Sequence, residues 1–269
     1  MNRTVSIILI IITILGVSSC TTDDNGTGRI SINFIHEVDG SALQTDTMQY
    51  VNEAGNTYSV ESLKYFISNL KLIKSDGSII PLCEEEKIIY VDNELPATMY
   101  EELPDSVPAG VYKSLTFTFG IEEADNHAGL FTTPPETYME STEELGGGYN
   151  YMRMRGRYAQ TPGVNEKNYN FFLGIGQIHP STGLGADEVR YVHNDFPVTV
   201  SNISFELDKD EEVVINLIMD IQQWFQEPHE WDFQNIGGSI IENQDAQIMA
   251  RENGENVFSA YVNDNRGVH

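Results

Sequence analysis

Six histidines, two closely spaced methionines and two tryptophans are the side chains of this sequence with chemistry beyond packing. The histidines are His36, His127, His179, His193, His229 and His269, irregularly spaced, so a site using several must assemble from distant segments. Imidazole nitrogen and thioether sulfur together suit copper, and Cu(I) above all. Met152 shares a strand face with Met154, and each histidine and thioether is either a ligand or an ordinary core, strand-end or loop residue. Glu122, Asp125 and Asn126 beside His127 supply oxygen donors of the kind calcium takes, at spacings that do not form an EF-hand loop. Trp224 and Trp231 are large packing residues, and also targets for oxidation when a redox centre lies near. Asp220, before the turn that carries Trp224, either binds a cation or satisfies the turn's backbone N–H groups. No HExxH, CxxCH, GxSxG or P-loop pattern occurs, and Gly146-Gly147-Gly148 has no following lysine. Without a nucleophile–base pair or a paired-carboxylate motif, the expectation is a binding protein and not an enzyme.

The elements that must position these residues follow a period of two. In Arg29 to Glu37, Ile30, Ile32, Phe34 and His36 fall on one face, with Ser31 and Asn33 on the other. An imidazole on that apolar face needs a partner: a carbonyl, a carboxylate or a metal. Val111–Gly120, Tyr149–Tyr158, Tyr169–Leu173, Val198–Leu207 and Glu212–Met219 alternate in the same way. Asn52–Asn56 reads as a turn, and Ser75-Asp76-Gly77 as a hairpin turn. Residues 61–67 are expected as a short helical turn, Ile221–Phe225 as a turn, and Asn243–Glu252 as a helix ended near Gly254. Residues 121–148 and 159–168 read as polar, Gly/Pro-bearing loops. Many short strands between turn residues predict an all-β fold, an antiparallel β-sandwich or barrel-like single domain with few short helices.

Composition narrows the partners. The chain has 269 residues and 41 Asp+Glu against 15 Lys+Arg, a formal net charge of −26. Such a surface repels a phosphate backbone, so no nucleic acid is expected, and it favours cations or serves solubility. At 40% hydrophobic the chain can bury a sizeable core. Arg3, the apolar run Val5–Val17 and the small pair Ser18-Ser19 before Cys20 resemble a bacterial lipobox. Residues 1–19 are then a lipoprotein signal peptide, and Cys20 is lipidated and anchored to the bilayer. Residues 20–28 form a polar tether, 29–262 the β domain and 263–269 a tail. Asp23 and Asp24 resemble the surface-export signal of Bacteroidetes lipoproteins, which places the chain on the outer membrane, periplasmic or surface-exposed. Cys83, at the end of an apolar run, is left as a buried structural thiol.

Several segments together resemble one family. These are Ile32-Asn33-Phe34-Ile35-His36-Glu37-Val38-Asp39-Gly40, Tyr58 to Leu70, Gly146 to Gly156, Met219-Asp220-Ile221-Gln222-Gln223-Trp224-Phe225 and Glu252 to Phe258. In order and spacing they resemble the MbnP-like proteins. The resemblance implies a β-rich extracytoplasmic domain, copper binding, and a MauG-like di-haem peroxidase partner that oxidises a tryptophan. It carries His36 over as a ligand, with Trp224 and Trp231 as candidates for modification by type. It also implies histidines where this chain has Asn150 and Phe172. Asn is a poor copper ligand and Phe is none, so a site here would draw on His127, His179 or Met152 instead. The alternative is a metal-free interaction or ligand-binding surface lipoprotein.

Overall fold

The computed structural model describes residues 26–84, 87–103, 106–179, 189–201 and 203–263. Cys20, the expected signal peptide of residues 1–19 and His269 lie outside them.

Two sheets face each other across one core. In the first sheet the opening strand, Thr27–Val38, runs beside Glu212–Asp220, which in turn pairs with Phe258–Val262. On its other edge the opening strand pairs with Ser41–Ala42 and Tyr100–Glu102. In the second sheet, strand Phe196–Val200 pairs with Gly110–Phe119, then Ser62–Lys74, then Met152–Ala159 and Lys167–Leu173. The all-β reading is borne out. One pairing departs from an antiparallel scheme: Thr27–Val38 and Glu212–Asp220 are parallel, in unbroken register from Arg29↔Glu212 to Glu37↔Asp220.

Alternation builds the core. Ile30, Ile32, Phe34, His36 and Val38 are all buried, and Ile215, Leu217 and Met219 bury beside them. Leu63, Tyr65 and Ile67 face them from the second sheet, with Met152 and Met154 on the next strand. Each such aliphatic or aromatic side chain contributes about 1.5–3 kcal/mol when removed from water.

Two sequence expectations fail for a single physical reason. Residues 61–67 are not a helical turn but the start of the long central strand Ser62–Lys74. Residues 121–148 are not merely a polar loop. Short 3-10 turns at Glu136–Met139 and Glu143–Leu145 fold the segment onto the outer face of the second sheet. There Ile121, Met139, Tyr149 and Tyr151 cover Phe66 and Tyr90, and Phe131 stacks on Phe66 at 5.2 Å. The central strand is therefore buried on both faces around Tyr65-Phe66-Ile67, and the alternation that marks a half-buried strand disappears. Asn69, at φ +54°, takes up a register shift in the pairing with Gly110–Phe119.

The helix Gln244–Gly254 starts at Asn243, whose side chain accepts from the Ala246 N–H at 3.1 Å. It is fastened to the second sheet by buried amides. Gln247 Oε1 accepts from the Gly174 N–H at 3.0 Å, and its Nε2 donates to the Phe172 carbonyl at 2.7 Å. Gly254 is the helix's last residue and not a stop signal beyond it. A Cβ there would lie 2.4 Å from the Phe196 ring and 2.8 Å from the Trp224 ring, so the glycine permits close approach. Gly254→Ala should lower unfolding stability by about 1–3 kcal/mol through overpacking, measured by urea titration. A stability equal to that of the parent would mean that the helix end rearranges freely.

Candidate metal centre

His36 sits where its parity places it, in the interior between the sheets and 7% exposed. Its Nε2 shares a hydrogen bond of 3.1 Å with the Tyr65 hydroxyl, which reaches across from the central strand. The two rings meet edge to face, centroids 5.6 Å apart. Burial holds the imidazole pKa down to about 4. The ring is neutral at physiological pH, with no proton competing for the nitrogen that would bind a metal. Burial also pushes the Tyr65 hydroxyl well above its ordinary range, so that partner stays protonated.

Thioethers flank the pair. Met219 is the register partner of His36 on the parallel neighbour strand and is buried on the same face. Met152 is the register partner of Tyr65 on the second sheet and is also buried. Sequence reading singles out Met152 but leaves Met219 as the end of a strand. Its parity with Leu217 and Ile215 signals the inward face, while the neighbour it would meet depends on a pairing between strands 183 residues apart.

The other candidates go elsewhere. His127 is exposed, its Nδ1 3.1 Å from the Ala128 carbonyl, and His179 is exposed. Neither shares the interior with His36 and Met152, so the four expected ligands do not form one site. Among the described residues no group of three or more His, Cys, Asp or Glu side chains is arranged to hold a metal. Of the calcium donors, Glu122 and Asp125 are exposed and Asn126 is otherwise employed. Asn126 is buried and clamps Tyr149, accepting from its N–H at 2.7 Å and donating to its carbonyl at 3.1 Å. Asp220 caps the turn, accepting from the Gln222 N–H at 3.1 Å and from the Asp39 N–H at 3.0 Å. His193 takes a partner that sequence does not foresee, the Tyr151 hydroxyl at 2.9 Å. His229 pairs with Glu252. Cys83 is half-buried and free, its thiol pKa raised by burial.

Asn150 and Phe172 differ in kind. Asn150 is buried, its Nδ2 donating to the Met139 carbonyl at 3.1 Å and its Oδ1 without a hydrogen-bond partner. Phe172 points out of the core, between the guanidinium groups of Arg153 and Arg155 at 5.3 and 5.1 Å from its centroid. A side chain at position 172 faces away from His36.

Both tryptophans are fully buried, and neither indole N–H has a hydrogen-bond partner. They belong to a column of rings that starts at the histidine. Tyr65 stacks on Phe119 at 5.7 Å, Phe119 meets Trp224 at 5.4 Å, and Phe171 touches Trp224 at 5.8 Å and Trp231 at 4.8 Å.

A family model for MbnP matches residues 27–248. The chain belongs to the MbnP family. The resemblance read from the five sequence segments is thereby borne out. A solved structure of MbnP from Methylosinus trichosporium is similar at 14% identity and a TM-score of 0.49, covering 74% of this chain and 78% of that one. No curated protein matches significantly. In this MbnP family member, the donors identified at His36 would suit a soft cation better than a hard one: one neutral imidazole, the Met219 thioether on the neighbouring strand and the Met152 thioether beside Tyr65.

Burial of His36 has a consequence for the metal-free protein. The folded state holds its pKa at about 4 against 6.5 for an exposed imidazole. Between those values the unfolded chain binds the proton and the folded chain does not. Stability therefore falls as pH drops from about 6.5 to about 4, by about 3 kcal/mol from this group. Urea unfolding at pH 7 and pH 4 with a metal chelator present should show that loss shrinking by about the same amount in His36→Gln. An identical pH dependence in the two proteins would contradict the buried neutral imidazole.

Proposed function

We propose that this chain is a membrane-anchored, extracytoplasmic copper-binding protein that holds Cu(I) and performs no turnover. The observation that carries the reading is His36, a neutral imidazole enclosed between two sheets, with the Met219 thioether on the neighbouring strand and Met152 beside its partner Tyr65 on the facing sheet. Membership in the MbnP family supports it. His36 would supply the nitrogen ligand, and Met219 and Met152 the sulfur. Tyr65 would orient the ring through its hydroxyl. A bound copper ion would supply redox chemistry at that point.

The tryptophans extend the reading. A MauG-like di-haem peroxidase is the proposed partner, and burial of both indoles means that oxidising equivalents would arrive by electron transfer and not by contact. Trp224 is the better placed, two rings from His36 through Phe119 and Tyr65. Anchoring would come from lipid on Cys20, with the chain on the outer membrane, facing the periplasm or the cell exterior.

Cu(I) competition against a chromogenic chelator tests the metal. One equivalent should bind, weakened at least about tenfold, or 1.4 kcal/mol, in His36→Ala and less in Met219→Leu, with His127→Ala unchanged. Circular dichroism of the His36 variant controls for folding, and Tyr65→Phe should weaken binding without removing a ligand. Equal affinity in the parent and the His36 variant would remove the assignment. Absence of copper binding in the folded parent would favour the second reading, a metal-free binding module, consistent with the existing His36–Tyr65 hydrogen bond. For the anchor, cells fed a clickable palmitate analogue should label the chain and fail to label Cys20→Ala. Label retained in the variant would place the acyl group elsewhere.

A further inference from the structure

The outer face of the first sheet carries a second arrangement, on the side of the opening strand away from His36. One row of register partners crosses four adjacent strands: Tyr100, Asn33, Asn216 and Tyr261. The two tyrosines at the ends are exposed, 39% and 45%. The two asparagines in the middle are joined, Asn33 Nδ2 donating to Asn216 Oδ1 at 2.9 Å. Asn216 is 4% exposed, and its own Nδ2 is buried without a hydrogen-bond partner.

Asn216 lines a cleft of about 470 Å³, with Asn33, Tyr100, Glu211, Glu212 and Val214, while Tyr261 stands at the far end of the row, outside that lining. The volume falls in the range of small-molecule sites, and a few convergent polar groups on an apolar floor are their usual lining. A buried donor left unmade is unfavourable, and an acceptor oxygen entering the cleft would satisfy it.

The chemistry of the row selects the ligand. An unpartnered N–H calls for an acceptor, which a metal ion or ammonium group lacks. No lysine or arginine is among the described residues that line the cleft, and three glutamates are, so an anion is disfavoured. Flat phenol rings at both ends offer apolar faces with polar tips. Strand spacing sets the two tyrosine backbones roughly 14 Å apart, a span for several linked rings and not for one. We propose that this face binds a neutral oligosaccharide, whose C–H faces pack on Tyr100 and Tyr261 and whose hydroxyl oxygen accepts from Asn216. The site does not depend on copper at His36, because the two lie on opposite faces of the same strand.

The test is calorimetric titration of the purified full-length chain with maltotriose, cellotriose, xylotriose, mannotriose and chitotriose, with trigalacturonate as the anionic comparison. At least one neutral trisaccharide should bind at millimolar concentration or below. Tyr100→Ala and Tyr261→Ala should each weaken that binding at least tenfold, and trigalacturonate should not bind. Both substitutions are at exposed rings, and far-UV circular dichroism with thermal melting verifies their folding. Failure of all five neutral sugars, preference for trigalacturonate, or affinity unchanged in both tyrosine variants would overturn the proposal.

Discussion

A strand that buries every second residue must bury whichever side chain falls on that parity, and in the opening strand His36 falls among Ile30, Ile32, Phe34 and Val38. Much else in the interior answers to that constraint. An imidazole enclosed between two sheets cannot readily carry charge, so it is held neutral. It needs a hydrogen-bond partner, and the opposite sheet supplies the Tyr65 hydroxyl. The Tyr65 ring must in turn be packed, which Phe119 does by stacking, and Phe119 rests on Trp224, Phe196 and Phe258. A single polar side chain at a core position thus organises an aromatic column through the centre of the molecule. The Phe196 ring and the indole together are also the reason why the last residue of the helix is glycine.

The parallel pairing of Thr27–Val38 with Glu212–Asp220 gives this column its surroundings. Because the two strands run in the same direction and in register, inward residues line up with inward ones: Phe34 with Leu217, and His36 with Met219. The outward residues line up as well, and Asn33 meets Asn216. One pairing therefore produces a soft, apolar donor set on one side of the sheet and a row of amides on the other. Antiparallel pairing of the same two strands would reverse this order and separate both pairs.

What was legible in the sequence follows from how each element is covered. The opening strand has one face in the core and one largely outside it, so its alternation announces itself, and with it the position of His36. The helix announces itself through the Asn243 cap. The strand Ser62–Lys74 does not, because Phe66 is buried from the outer side by residues 121–148 and the run Tyr65-Phe66-Ile67 has no exposed member. A covering segment that begins 55 residues further along, at Ile121, cannot be inferred from local period. His127 misled for the complementary reason. Its neighbours Glu122, Asp125 and Asn126 look like a donor cluster, yet the most deeply buried of them, Asn126, is spent on holding Tyr149. Met219 went unmarked since nothing near it in sequence names its neighbour.

Three uncharged buried donors separate structural from functional polarity. Asn216 Nδ2, Trp224 Nε1 and Trp231 Nε1 lack hydrogen-bond partners, as does the Nε of the charged Arg153. Each such group is a liability of about 1–3 kcal/mol if nothing compensates it. The indoles are enclosed by rings: Trp224 by Phe119, Phe171 and Phe196, and Trp231 by Phe171, Phe225 and Phe233. Aromatic faces are weak acceptors for N–H groups, and the dispersion and burial of a whole indole offset what remains. Neither tryptophan lines the cleft beside Asn216. Asn216 has no such compensation. Its amide is small, its partner Asn33 takes up only the oxygen, and the residue lines an open cleft. Of these three residues it is the one that lines that cleft, which is why it, and not either tryptophan, marks a place for a ligand.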